Sequence, residues 1–298
     1  MWGYYIKRIP FINFAFFALA GLLVTVNSRA LYNFKKSNTS TALSTFQLPA
    51  CGTVTNLSAC SSSMQLNAEP NQPNYSWSTG ATTPSITVTA SGSYWWETTD
   101  LTNNKVTNGD FTNDNTGFTS DYIYQAPGTS TGGAGALTAE GRYSVVASPK
   151  TVHNNFADFP DHTANTTGAR NMMVVNGAPT AGKTIWRQSI TVQPNTDYIF
   201  SVWFTSANSA NPGQLSFSIN NTSLGNPILL TAGLPDWKNF TVRWSSGNNT
   251  SAVIGIVNQN TIAYGNDFAL DDITFSPVCR NTFNVNLYSN PPKPSISL

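Results

Sequence analysis

Aromatic and polar side chains on alternating positions are the residues with the clearest chemical potential in this chain. Trp203 lies in an alternating segment and shares its face with Ser201 and Thr205. An aromatic ring can stack on the apolar face of a sugar, while nearby amides and hydroxyls satisfy the sugar hydroxyls. The same tryptophan could instead serve packing, since large aromatics are mostly buried. The pattern predicts a glycan-binding face on neighbouring strands, formed by Trp203, Gln214, Arg187 and Asn258.

Catalytic arrangements receive little support. The chain has 2 histidines, and no Gly-x-Ser-x-Gly motif accompanies them. A Ser–His–Asp triad is not excluded by spacing, but His162 lies in a polar loop where local hydrogen bonds explain it. Asp271 and Asp272 are adjacent, so a regular strand would point them to opposite faces. Three isolated glutamates do not form the carboxylate pair of glycoside hydrolysis: Glu69, Glu97 and Glu140. We therefore expect no enzymatic activity.

Composition narrows both the fold and the partners. Only 10% of the 298 residues are charged and the net charge is +1, so no electrostatic footprint for nucleic acid exists. Hydrophobic residues make up 40% and tryptophans number 8, which is enough apolar surface for packed cores. Thr, Val, Ile and aromatic residues favour strands over helices. The expectation is an all-β chain of about two domains, with uncharged surfaces suited to a glycan or to an inert spacer.

The amino-terminal segment has the pattern of a secretory signal. Lys7 and Arg8 precede an apolar run over 9–26, and Ser28 and Ala30 provide small residues for cleavage after Ala30. An uncleaved membrane anchor is the alternative, because the run is nearly long enough to span. Residues 1–30 are predicted to be the signal and 31–49 a linker. No second long apolar run follows, so no stable membrane span is expected after cleavage, and the protein is predicted to be secreted or on the cell surface.

Short strands separated by turns follow the linker. The segment 74–99, NYSWSTGATTPSITVTASGSYWWETT, resembles the immunoglobulin-like repeats of Bacteroidota surface proteins. The resemblance implies that Trp77 packs between two sheets and that Gly80 and Gly92 supply turn conformations.

A longer β-rich unit begins with VTNGDFTNDNTGF and ends with NDFALDDITF. It resembles the galactose-binding-like jelly roll of Bacteroidota surface and gliding-associated proteins, which is similar to carbohydrate-binding modules. That resemblance implies a structural calcium ion where the first and last strands meet, held by Asp110 with Asp271 or Asp272. Carboxylates are suitable calcium ligands. The alternative is that these side chains bind backbone amides at strand ends.

The final segment again alternates and follows Cys279, as the last strand does in related immunoglobulin-like repeats. The resemblance therefore implies a jelly roll over 103–278, inserted before the last strand of an immunoglobulin-like domain formed by 50–102 and 279–292, with a tail over 293–298. Cys60 would pair with Cys279 and leave Cys51 over, since one pair and one leftover is expected of 3 cysteines in an exported protein. The alternative is that 279–298 begins a further repeat.

Together these observations predict a non-catalytic secreted or cell-surface protein for adhesion or glycan recognition, with a polysaccharide or surface glycan as partner. Two alternatives stay open. The chain could be a structural spacer of a surface adhesin, or a module that targets a polysaccharide-degrading enzyme to its substrate. The sequence does not identify the sugar.

Overall fold

A computed structural model describes residues 51–128, 135–163, 171–232 and 235–289. The predicted signal, linker and tail lie outside these residues. The all-β prediction is confirmed, because the regular elements of the described part are strands and two short 3-10 helices, Leu101–Asn103 and Pro149–Thr151. Among the described residues, no helix has the length and apolarity needed to cross a membrane. The strands are β1 (Val54–Ala59), β2 (Met64–Asn67), β3 (Ser76–Trp77), β4 (Ser85–Val88), β5 (Gly92–Thr99), β6 (Ile123–Tyr124), β7 (Arg142–Val146), β8 (Met172–Asn176), β9 (Lys183–Thr191), β10 (Asp197–Ser206), β11 (Gln214–Ile219), β12 (Thr222–Ser223), β13 (Ile228–Leu229), β14 (Lys238–Ser245), β15 (Ser251–Asn258) and β16 (Asp267–Leu287).

The larger part of the fold is a jelly-roll-type β-sandwich, as the resemblance to galactose-binding-like jelly rolls implied. One layer has the order β14-β10-β16-β8-β7-β6, and the other has β12-β11-β15-β9 with β13 beside β11. Alternation decides which side chains enter the core. Phe200 and Phe204 point inward from β10 and meet Phe217 of β11, at ring-centroid distances of 5.9 and 6.0 Å. Phe217 is fully buried, so it joins the two layers.

A smaller sandwich is built on the same long strand. The carboxyl-terminal half of β16 pairs with β1 on one side and with β5 on the other, and β3 pairs with β5. A second, two-stranded sheet is formed by β2 and β4. Trp77 is 2% exposed in this core and stacks on Phe283 at 6.2 Å. The chain therefore leaves the smaller sandwich after β5, forms the larger sandwich, and returns along β16. The division into domains at the boundaries given above stays a prediction.

The cysteine pairing differs from the prediction. Cys279 is bonded to Cys51, with Cα atoms 5.2 Å apart, and Cys60 is a free, exposed cysteine. The reason is the parallel register of β1 and β16, in which Val54 lies opposite Thr282 and Ala59 opposite Leu287. Cys51 and Cys279 each precede this ladder by the same interval, whereas Cys60 lies beyond its far end. The predicted Cys60–Cys279 bond is therefore wrong.

A buried carboxylate connects the smaller sandwich to β14. Glu97 of β5 is 5% exposed and accepts hydrogen bonds from Arg243 of β14 at 2.7 Å and from Arg280 of β16 at 2.8 Å. Burial opposes ionisation, but the two guanidinium groups outweigh it and lower the pKa of Glu97. Arg280 also lies 4.2 Å above the Trp95 ring.

Candidate functional site

Trp203 lies on the outer face of the larger layer, away from the core. It is half-buried on β10, opposite Asn239 of β14 and Asp271 of β16. The His162 ring stacks on the indole with centroids 3.8 Å apart and planes 17° apart, and Trp237 meets His162 edge-on at 5.7 Å. We call these three side chains, Trp203, His162 and Trp237, the Trp203 cluster. The indole is thus not an isolated platform, because one of its contacts is a second aromatic ring.

A β-bulge in β16 holds His162 against Trp203. Ser201 pairs with Thr274 but Trp203 pairs with Asp271, so β16 carries one extra residue over this interval. Asp272 adopts a φ of 48° there. As a result, Asp271 Oδ2 accepts the His162 amide at 2.9 Å and Asp272 Oδ2 lies 2.6 Å from His162 Nδ1. The expectation that the two aspartates point apart is wrong, because it assumed a regular strand.

The two aspartates differ in their surroundings. Asp271 is fully buried, and burial, followed by the nearby Asp272 carboxylate, raises the pKa of Asp271 to about 8. Asp272 is 21% exposed in its side chain and faces the histidine. No hydroxyl group hydrogen-bonds to His162 among the residues that the structure describes. The His162–Asp272 pair therefore holds the imidazole ring in its stacked position on Trp203.

An uncharged polar row lies beside the cluster. Asn239 Nδ2 donates to Ser201 Oγ at 2.9 Å, and Thr241 Oγ1 donates to Asn239 Oδ1 at 2.5 Å. Asn239 and Thr241 are exposed on β14. We call Ser201, Asn239 and Thr241 the polar row. Hydroxyl and amide groups of this kind retain donors and acceptors for a neutral ligand.

Two of the other predicted glycan residues lie on the opposite layer. Gln214 begins β11 and Arg187 lies on β9, whereas Trp203 is on β10 of the first layer. The segment between β10 and β11 crosses the sandwich, so consecutive strands are not neighbours. Arg187 donates to Asp121 at 2.9 Å and to Thr119 at 3.2 Å. A shallow cleft of about 420 Å³ lies beside it, lined by Gly117, Phe118, Thr119, Arg187, Gln188, Ser189 and Val253.

Asn258 is not available to a ligand. It is fully buried, and its Nδ2 donates to the carbonyls of Ala178 at 2.8 Å and Asn260 at 3.0 Å. Its Oδ1 accepts the Asn260 amide at 3.2 Å. Its position at the end of an alternating strand indicated exposure, but the next segment folds over it. The predicted role of Asn258 in glycan binding is therefore wrong.

The calcium site predicted at Asp110, Asp271 and Asp272 stays a prediction, because these carboxylates are engaged by other groups in the structure. The first loop does meet the last strand, since Gly109 accepts the Ile273 amide at 2.9 Å. Asp110, however, accepts hydrogen bonds from Thr112 in its own turn, and both oxygens of Asp271 accept backbone amides. Within the described ranges, no group of 3 or more His, Cys, Asp or Glu side chains is placed to hold a metal. These carboxylates fit the alternative, in which they bind amides at strand ends.

Two further ring-bearing residues are His162, in the Trp203 cluster, and Tyr264, on the loop before β16. His162 was visible only as a polar-loop histidine, and no local pattern indicates that it stacks on a residue in another strand. Tyr264 is 73% exposed and Ile262 is 47% exposed on the loop before β16. Asn211 holds this loop through a hydrogen bond to the Tyr264 carbonyl at 2.7 Å. Tyr264 is therefore an exposed aromatic position that lies apart in sequence from the Trp203 cluster.

Comparison with solved structures finds matches at low similarity. No family model matches the chain, and no curated protein matches it in sequence. The EclA C-terminal domain, a sugar-binding protein, is 17% identical over 41% of this chain and 91% of that chain, with a TM-score of 0.33. The CBM22-1 xylan-binding domain of Paenibacillus barcinonensis Xyn10C is 16% identical over 47% and 84%, with a TM-score of 0.33. TmCBM61, solved with beta-1,4-galactotriose, is 13% identical over 59% and 97%, with a TM-score of 0.32. At this level of similarity, function has to be derived from the site itself.

Proposed function

We propose that this chain is a non-catalytic glycan-binding protein and that the sugar lies on the Trp203 cluster and the polar row. The observation that carries the proposal is the juxtaposition of the Trp203–His162 stack with uncharged hydroxyl and amide groups on the adjoining strand. Trp203 and Asn239 are directly opposite in the β10–β14 register. One sugar ring could therefore contact both an aromatic surface and hydrogen-bonding groups.

The chemistry of this face favours a neutral sugar. The polar row carries no charge, and the carboxylates beside the cluster are engaged by His162 and by backbone amides. The partly exposed rings would supply an apolar surface for sugar C–H groups, and the polar row would supply the hydrogen bonds. His162 has the role of a positioning residue, because its ring fixes the orientation of the indole before a ligand arrives.

Export to the cell surface and a role in adhesion are part of this proposal. The Cys51–Cys279 bond supports it, since disulfides persist in oxidising compartments. A spacer without a ligand is the alternative, and so is a module that brings a polysaccharide-degrading enzyme to its substrate. A hydrolase encoded beside this chain would favour the latter.

A glycan array on the full chain tests the proposal, with Trp203→Ala measured beside Arg187→Ala on the opposite layer. We expect Trp203→Ala to weaken the best glycan at least about 10-fold, because it removes the aromatic surface. Arg187→Ala should bind as the wild type does. Circular dichroism and melting of each variant control for folding.

Three outcomes count against the proposed site. Loss of binding in Arg187→Ala alone would move the ligand to the other layer, and loss in Tyr264→Ala alone would move it to the loops. Absence of binding to every glycan by the folded wild type would favour the spacer.

A further inference from the structure

Strand β9 is the last strand of the β12-β11-β15-β9 layer, and only part of its outer edge is covered. Arg187 exchanges two backbone hydrogen bonds with Thr119, at 3.0 and 2.9 Å. Backbone groups alternate between the two sides of a strand, so Ser189 and Thr191 direct theirs to the same edge as Arg187. Within the described part of the chain, no hydrogen bond reaches these backbone groups on that side. The Thr119 segment therefore begins a ladder that stops halfway along β9.

A side chain, and not a strand, bridges β9 to the segment that contains Thr107. Gln188 Oε1 accepts the Thr107 amide at 3.0 Å, and Gln188 Nε2 donates to the Thr107 carbonyl at 3.0 Å. A primary amide thus takes the place of a peptide group opposite Thr107. A cleft of about 440 Å³ lies beside Ser189 and Thr191. It adjoins the cleft of about 420 Å³ beside Arg187, since Gln188 and Ser189 line both.

The open part of β9 has none of the features that usually prevent pairing at a sheet edge. Prolines, charged side chains and bulges are the common protection. Residues 188–192 are uncharged and include no proline. Their register with β15 is regular, and the side chains of Ser189 and Thr191 are exposed. This edge is therefore open to pairing with a further strand.

The clefts are positively charged. Lys105 lines the larger cleft, and its ammonium group donates to a neutral partner, Asn103 Oδ1, at 2.5 Å. None of the ion pairs in the described residues includes Lys105. Arg187 lines the other cleft and is paired with Asp121. No aspartate or glutamate is among the described residues that line either cleft. An approaching carboxylate would meet an ammonium group without a counter-ion.

We propose that the open edge of β9 binds an extended peptide with acidic side chains, which continues the ladder that Thr119 begins. The main chain of the peptide pairs with Ser189 and Thr191, and a carboxylate approaches Lys105. Main-chain pairing favours a polypeptide over a sugar, because N–H and C=O groups recur along a peptide at the spacing of the strand. The site lies on the opposite layer from Trp203, so it is independent of the proposed glycan site.

NMR hydrogen exchange on the full chain tests the proposal. The probe is an acetylated hexapeptide amide in which valine and glutamate alternate. At a peptide concentration of about 10 times Kd, we expect exchange of the Ser189 and Thr191 amides to slow by about 10-fold. The amides of Gln188 and Ile190 already face β15, so their exchange should not change. This alternation distinguishes main-chain pairing from contact through side chains.

Three controls use the same peptide length and measure Kd by fluorescence anisotropy. Lys105→Glu should weaken the glutamate peptide at least about 10-fold, whereas Lys150→Glu, outside both clefts, should not. A peptide N-methylated at alternate residues keeps its side chains but loses donors, and it should also bind at least about 10-fold more weakly. Trp203→Ala should bind the peptide as the wild type does, so failure of the glycan site leaves this test unaffected.

The proposal is overturned if the peptide at millimolar concentration leaves exchange of the Ser189 and Thr191 amides unchanged. Equal binding of the N-methylated peptide would also overturn it, since side chains alone would then hold the ligand. Equal binding by Lys105→Glu would remove the acidic partner. If a neutral glycan slows exchange of these amides and the peptide does not, the clefts belong to a sugar and the peptide site is refuted.

Discussion

The two outer faces of the larger sandwich arise from the same alternating pattern but present different chemistry. On the first layer, Trp203 is joined by an imidazole from a loop and by an uncharged polar row. On the second layer, Arg187 lies opposite Gly255 and is bound to Asp121. Each face therefore has one prominent side chain, but only Trp203 is supported by other aromatic rings. The neighbouring rings hold the Trp203 indole in one orientation, which an isolated indole would not keep. Arg187 is instead held by its ion pair with Asp121.

Truncating a core side chain that lies between the two layers should lower the free energy of unfolding more than any surface substitution. Phe217→Ala deletes a fully buried ring that stacks on Phe240 at 3.7 Å. We expect a loss of about 3–5 kcal/mol in the free energy of unfolding, measured by chemical denaturation. Val253→Ala, at a residue 38% exposed, should change it by less than about 0.5 kcal/mol. Equal effects in the two variants would show that the layers do not pack through Phe217.

Asp271 on the first layer and Asp121 on the second should change the free energy of unfolding in opposite directions as pH rises. The pKa of Asp271 is raised to about 8, mainly by burial, so its protonated form favours folding at low pH and this contribution is lost as pH rises towards 8. Asp271→Asn should therefore gain stability relative to the wild type between about pH 4 and pH 8. Denaturation at several pH values checks this. A pH-independent difference between variant and wild type contradicts it.

Asp121 provides the counterpart on the second layer. Burial opposes the change, but hydrogen bonds from Thr184 and the charge of Arg187 lower the pKa of Asp121. Its contribution is present above its unfolded pKa and is lost as pH falls through the lower, folded value. Arg187→Ala should reduce stability by less than about 1 kcal/mol at neutral pH, since the pair is 42% and 33% exposed. A loss of several kcal/mol in the free energy of unfolding would mean that the second layer depends on the Arg187–Asp121 pair for its stability.

Alternation identified the strands and their inward residues, because side-chain direction follows from a period of two. The burial of Trp77 was instead expected from the resemblance to immunoglobulin-like repeats. Alternation did not identify sheet neighbours, since period carries no information about which layer the next strand joins. For that reason Gln214 was assigned beside Trp203, although β10 and β11 lie in different layers.

Other parts of the site depend on single-residue events that a periodic pattern does not encode. The bulge at Asp272 adds one residue to β16 and brings both aspartates to His162. The disulfide depends on the parallel register of β1, which selects Cys51 over Cys60.

The long strand β16 gives the molecule a defined path for mechanical load. Its 21 residues extend over about 70 Å at roughly 3.3 Å per residue. A pull on a ligand at Trp203 would pass through the hydrogen bonds between β10 and β16 and then along a single backbone into the smaller sandwich. There Cys51 is bonded to Cys279, so tension is carried covalently into β1 and bypasses the non-covalent contacts of that sandwich.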